Sequence, residues 1–209
     1  MSLTHTLVEN CRSSSPWDLG NQVLYDLCRT HPDHTDASAV IAKIWLIGRS
    51  YAAAIERRRE KTDENDDFYV NTVAPAIISS DIDLWLQRTS EHKAPTHRSL
   101  QDILSTHASV TSLFSKITGL EKRSLASKYL HFHQPSLFYI YDTRAVEGMR
   151  KLSSVVGRAS AGEAIADVEY RKFAEKCLRL QENIEKNFGV LLTPRELDKL
   201  LLEVCAGDT

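Results

Sequence analysis

The chain has 209 residues and a formal net charge of −2, with 42% hydrophobic and 26% charged residues. This is the composition of a globular protein with room for one domain, or for two small helical lobes sharing a core. No global basic excess announces nucleic acid or an anionic membrane, and no apolar run approaches the ~20 residues that span a bilayer.

The start, MSLTHTLVEN, lacks a basic region followed by an apolar one, so no signal peptide is expected. Ser15-Pro16-Trp17-Asp18 reads as a helix start, and Trp17, Val23, Leu24 and Leu27 fit one apolar face. Thr35-Asp36 opens a stronger helix predicted to run to about residue 58. Val40, Ile41, Ile44, Trp45, Ile47, Tyr51 and Ile55 give it a broad apolar face. Gly48 in its middle costs about 1 kcal/mol against alanine, which close packing of another backbone would offset.

Residues 59–67 are a charged loop. A helix over about 68–88, bent near Pro75, follows, and then a polar connector containing Pro95. Shorter helices are expected at 97–107 and 109–117, with Gly119 as punctuation and another helix at about 122–133, stopped by Gln134-Pro135. Residues 137–141 read as an extended buried loop, because no partner strand is evident. Asp142 or Thr143 then caps a helix to about residue 152. Ser160-Ala161-Gly162-Glu163 opens a long amphipathic helix to about residue 187, and Thr193-Pro194-Arg195-Glu196 is a capping box starting the last one.

The four cysteines, Cys11, Cys28, Cys177 and Cys205, are far apart and form no CxxC or Cys/His cluster, so zinc has no support. Cys28 and Cys177 sit in apolar helical patterns and are expected to be reduced core residues, which points to the cytoplasm. His131 and His133 at i and i+2 do not share a helix face, so no metal site is expected there, and no cofactor is implied. A proton shuttle or a substrate hydrogen-bonder remains open for either histidine.

The segment 119–144 carries the functional signal. Asp142 follows Phe138-Tyr139-Ile140-Tyr141 and precedes Arg144. Read from the residues, it is either a helix cap salt-bridged to Arg144 or a catalytic carboxylate. Tyr139, Tyr141, Phe132 and Phe138 are pocket residues or ordinary core. Lys122, Arg123 and Lys128, with Lys116 and Arg144, are a phosphate-contacting stripe or a solvated helix face. Arg49, mid-helix between Gly48 and Ser50, could reach a carboxylate such as Asp142.

The order helix, glycine turn, helix and then an acid at a helix start resembles the helix-hairpin-helix DNA glycosylase superfamily. Ile117-Thr118-Gly119-Leu120 corresponds to the hairpin turn, Ser124-Leu125-Ala126 to its second helix, and Ile140-Tyr141-Asp142 to the aspartate motif. Glu121 stands where that superfamily has a second glycine. The helical patterns imply an all-α, compact multi-helix domain over 1–209, and the resemblance adds a two-lobed arrangement with a cleft, with possible lobes at about 15–90 plus 160–209 and about 97–155. It implies an enzyme that binds DNA and hydrolyses the N-glycosidic bond of a flipped base. Asp142 and Lys128 are the catalytic candidates. Tyr139, Tyr141, His131, His133 and Arg144 are candidates for the substrate, and Gly119, Lys122, Arg123 and Ser124 for DNA. The residues by themselves leave open a non-catalytic nucleic-acid-binding module and a helical protein-interaction domain.

Overall fold

Short oxygen-bearing side chains stand where helices begin, each taking one amide that the first turn leaves free. Thr4 accepts from Leu7, Asp36 from Ala39, Asp142 from Ala145, Asp167 from Tyr170 and Thr193 from Glu196. In this computed structural model residues 3–60, 64–156 and 167–207 are described, and among them there are helices and loops but no strand. The order is α1 (His5–Arg12), α2 (Asp18–Thr30), α3 (Ala37–Ser50), α4 (Asn65–Phe68), a π turn (Tyr69–Val73), α5 (Ala74–Ile78), α6 (Ile82–Thr89), α7 (Leu100–Thr118), α8 (Arg123–His133), α9 (Thr143–Lys151), α10 (Ser153–Val156), α11 (Val168–Phe188) and α12 (Pro194–Ala206).

Several boundaries differ from the sequence reading, each for a local reason. Helix α1 was not expected, yet it buries Leu7, Val8 and Cys11 against α12. On α2 the buried face is Asn21, Leu24 and Cys28, while Trp17 and Val23 face solvent. Helix α3 stops at Ser50 rather than near 58. The chain turns back through Ala52, whose φ is 51°, and the Ala53 amide donates to the Gly48 carbonyl at 2.7 Å. Gly48 permits this, since a Cβ there would lie 3.2 Å from the Cα of Ala54.

The predicted helix at 68–88 is broken at Ser79-Ser80-Asp81, where the Ser80 hydroxyl donates to the Ile77 carbonyl at 2.6 Å and competes with the next turn. The two helices expected at 97–117 are one, α7, which runs unbroken through His107, whose ring stacks 3.4 Å from that of Tyr170. The start predicted for α11, at Ser160–Glu163, lies outside the described residues.

Two apolar clusters form the interior. One joins α2, α3, the π turn, α5, α6, α7 and α8; the other joins α1, α9, α11 and α12. The stretch after α8 is a loop and not a strand, as expected; it turns at residues 135–137 and is buried over 137–140. It passes from one cluster to the other, with Leu137 and Phe138 in the first and Tyr139 in the second. Cys28 and Cys177 are free and buried, and burial raises both thiols, Cys28 to about 12. Lys43 is fully buried and donates to the carbonyls of His31 and Asp33 at 2.9 and 3.1 Å, so its charge ties the end of α2 to α3.

Helices α9 and α12 meet backbone to backbone at Gly148, where an added Cβ would lie 2.1 Å from the Leu201 carbonyl oxygen. A backbone oxygen cannot rotate away, so any side chain forces the helices apart. Overpacking of this kind costs about 3 kcal/mol. Gly148→Ala is therefore expected to lower the thermal midpoint by about 6–12 °C. A shift under 2 °C in a calorimetric melt would contradict this packing.

Candidate functional site at the Lys128–Asp142 pair

Helix α7 ends at Gly119, whose φ of 67° carries the chain into a tight turn, and the Arg59 amide donates to the Thr118 carbonyl at 2.8 Å. The second helix of the hairpin, α8, starts at Arg123. Its cap position is Lys122, whose side chain makes no capping bond, so the first amides of α8 have no side-chain acceptor there.

One turn after Ser124, Lys128 points inward with only 2% of its side chain exposed. Its Nζ lies 3.2 Å from Asp142 Oδ2 and donates to Ser124 Oγ at 2.9 Å. It also approaches the Tyr51 carbonyl at 3.4 Å and lies 5.7 Å from the Tyr51 ring centroid. Asp142 is the N-cap of α9. Its Oδ1 accepts the Ala145 amide at 2.9 Å, and a quarter of its side chain, 26%, reaches solvent.

Burial acts to raise the Asp142 carboxyl, but the Lys128 ammonium and the amides of Ala145 and Arg144 outweigh it and hold the group below the usual carboxylate range. The ion-pair partner is Lys128, not Arg144, which is exposed and forms no ion pair among the described residues. Arg49 does not approach Asp142 either; it bonds Glu56 at 2.9 Å.

Sequence reasoning missed Asn21, Arg195 and Asp198, which are linked to this pair through Tyr51 and through the charge of Asp142. Tyr51 donates to Asn21 Oδ1 at 2.7 Å, which leaves Asn21 Nδ2 buried with no hydrogen-bond partner. On the second turn of α12, Asp198 is 3% exposed, and Arg195 Nη1 donates to its Oδ2 at 2.6 Å. Asp198 Oδ1 and Arg195 Nε have no partner. Burial, seconded by the charge of Asp142, pushes the Asp198 carboxyl up to about 7 against the pull of Arg195. The i, i+3 spacing of Arg195 and Asp198 was readable, but their burial was not.

The other candidates fall in different places. His131 Nδ1 donates to the Phe138 carbonyl at 2.8 Å, so its Nε2 accepts the Tyr25 hydroxyl at 2.8 Å; burial lowers it to about 4 and it is neutral. His133 bonds the Tyr129 carbonyl at 2.8 Å and stacks on His34, in a separate polar network. Tyr139 is buried with its hydroxyl on Gln181, and Tyr141 is half-buried under the Arg123 guanidinium at 5.6 Å. Lys122 is turned inward onto the Ala54 carbonyl at 3.0 Å, and burial lowers it to about 8. Arg123 pairs with Asp167 at 2.7 Å and with Glu121 at 2.8 Å.

Two surface cavities lie elsewhere. One of about 650 Å³ lies between α6 and α7 and is lined by serines, Trp85 and Lys116; one of about 410 Å³ lies beside Pro95, Leu178 and Leu191. Neither lining includes Lys128 or Asp142. Among the described residues, no three His, Cys, Asp or Glu come together as metal ligands.

No curated protein and no solved structure matches the chain significantly. One family model does match, described as HI_0787_N, N-terminal domain; it covers residues 4–137, from α1 through the hairpin to the buried loop, and stops before Asp142. That span is well over half of the chain, which therefore belongs to the HI_0787 N-terminal domain family.

Proposed function

We propose that the chain is a DNA glycosylase-like enzyme that hydrolyses the N-glycosidic bond of a flipped base. The observation that carries this reading is the 3.2 Å approach of Lys128 Nζ to Asp142 Oδ2, where the second helix of the hairpin meets the start of α9. Breaking an N-glycosidic bond builds positive charge on the sugar. An ionised carboxylate held in a partly dry setting stabilises that charge strongly, because its dipoles and partners are already in place. Asp142 fits that role, being held ionised, oriented by the Ala145 amide and partly open to solvent.

Lys128 is the counter-cation of Asp142 and fixes its second oxygen. A lysine engaged in this way is a positioning group rather than an amine nucleophile, so the reaction is hydrolysis by water. The uncapped amides at the start of α8 offer a phosphate-binding end, favoured by the helix dipole. Glu121, which would repel a phosphate at this turn, is drawn onto Arg123.

A second reading has its own support. Both oxygens of Asp142 already have partners, as expected of a structural cap in a helical module that binds nucleic acid without cutting it.

Oligonucleotides bearing damaged and modified bases, scored for abasic sites, separate the two readings. For an enzyme, Asp142→Asn is expected to cut base release by about 10²–10³-fold. DNA binding should change less than about 3-fold, and folding little, since asparagine caps a helix as well as aspartate does. Undiminished release would end the assignment of Asp142, and an empty panel would favour the binding module. Borohydride is expected to trap no covalent protein–DNA adduct; a trapped adduct at Lys128 would replace hydrolysis by amine addition.

The pH dependence follows from the lowered carboxyl. The ionised form is the working form, so the contribution of Asp142 is retained above the ordinary carboxylate range and lost as pH falls through the depressed value. Lys128→Met removes the largest group that opposes burial and leaves only the amides of Ala145 and Arg144, so the acid limb of the rate profile is expected to move up by at least about one pH unit. An unmoved limb would show that Lys128 does not set the charge of Asp142.

A further inference from the structure

We infer that Asp198 is a second carboxyl of this same site and carries the proton delivered to the departing base. The inference rests on the proposed excision reaction. Its geometry is independent of the resemblance, because α12 lies beyond the segment that carries it. The contact of Gly148 with the Leu201 carbonyl locks α12 onto α9, and Lys151 Nζ reinforces it by donating to the Cys205 carbonyl at 2.9 Å. Asp142 heads α9, and Asp198 sits one turn before Leu201, so the two carboxyls belong to one rigid pair of helices.

Asp198 is buried, and only Oδ2 is taken, by Arg195. A buried carboxyl oxygen with no partner is unfavourable as an anion. With a proton it becomes a donor that lacks an acceptor, which a base nitrogen or oxygen would supply. Arg195 on its own helix bonds it, and the other groups whose charge bears on it come from several elements: Asp142 and Arg144 on α9, Lys128 on α8, and Tyr25, Tyr51 and Cys177 from α2, the end of α3 and α11. Two acids whose surroundings push them in opposite directions divide the roles. Asp142 is held ionised and Asp198 is pushed up to about 7.

In the reaction the bond between the sugar C1′ and the base nitrogen breaks, and its electron pair goes to the base. The proton on Asp198 Oδ1 passes to the base, so the base leaves neutral and Asp198 is left as the carboxylate. Water adds its oxygen to C1′, and the proton it sheds reaches solvent, from which Asp198 is reloaded. Asp142 forms no bond and moves no proton.

The test uses the full chain, wild type and Asp198→Asn, which preserves shape. Carbon NMR of aspartate-labelled protein is expected to show one carboxyl titrating near pH 7, absent in the variant. A folded-state value raised above the unfolded one stabilises at low pH, and that stability is lost as pH rises through 7. The wild-type melting temperature should therefore fall between pH 5 and pH 8 relative to that of Asp198→Asn. Wild-type base release is expected to fall about tenfold per pH unit above 7. The variant is expected to be slower by about 10²–10⁴-fold at pH 6 and to lose that limb.

An Asp198 that titrates below pH 5, or a variant with the wild-type rate and profile, overturns the inference. If the wild type releases no base from any oligonucleotide, the excision reading falls and the donor role falls with it. The carbon titration then still decides whether Asp198 holds a proton.

Discussion

The ammonium of Lys128 is almost entirely out of water, and the site depends on how that charge is accommodated. Removing an ammonium from water costs several kcal/mol, which Coulomb attraction offsets only when the partner is close and the remaining donors are filled. Here the partner is Asp142 Oδ2, Ser124 Oγ takes a second proton, and the Tyr51 carbonyl and ring lie on another side. These neighbours come from different parts of the molecule. Tyr51 ends α3 and packs on the first cluster, while Asp142 starts α9, whose buried side belongs to the second. One buried cation therefore requires both clusters to be in register. The Gly148–Leu201 contact extends that register to α12, which is how Asp198 and Arg195 come to share the neighbourhood.

The basic residues around the hairpin look like a cationic stripe in the sequence but are largely committed inside the fold. Lys122 is on the Ala54 carbonyl, Lys128 on Asp142, and Arg123 on Asp167 and Glu121. A helix N-terminus attracts an anion through unfilled amides and the aligned peptide dipoles, without any side-chain charge. An anion at α8 would thus be held by the backbone, with the neighbouring arginine already balanced by two acids. For the proposed DNA contact, Glu121 would be no obstacle, because Arg123 holds it aside.

The sequence made the local features visible and the long-range ones invisible. The Thr193 capping box, the Asp142 cap, the Gly119 turn and the loop after Gln134 were all readable, because each depends on residues a few positions apart. The burial of Asn21 and Asp198 was not. Each is a polar residue on an amphipathic helix, and which face of α2 or α12 turns inward depends on partners far away in sequence. On α2 the apolar pattern even misled, since Trp17 and Val23 are exposed while Asn21 is buried. The same limit hid the Lys128–Asp142 contact: 14 residues apart across a buried loop, it depends on how the chain crosses from one cluster to the other.

A second buried polar network shows what sets the site apart. Asp83 accepts from the His34 amide and bonds its Nδ1, His34 Nε2 meets the Tyr129 hydroxyl at 2.8 Å, and Lys43 nearby is satisfied by two carbonyls. That network has as many ionisable groups as the site, but its bonds are closed, and only His133 Nε2 lacks a partner. It reads as scaffolding that fixes α2, α3, α6 and α8 to one another. Among the groups linked to Lys128 and Asp142 through Tyr51 and Asp198, by contrast, the unfilled atoms are two donors, Asn21 Nδ2 and Arg195 Nε, and one carboxyl oxygen, Asp198 Oδ1. The scaffold leaves one such atom open and the groups linked to the site leave three, which a planar polar ligand, or water held in its place, would satisfy.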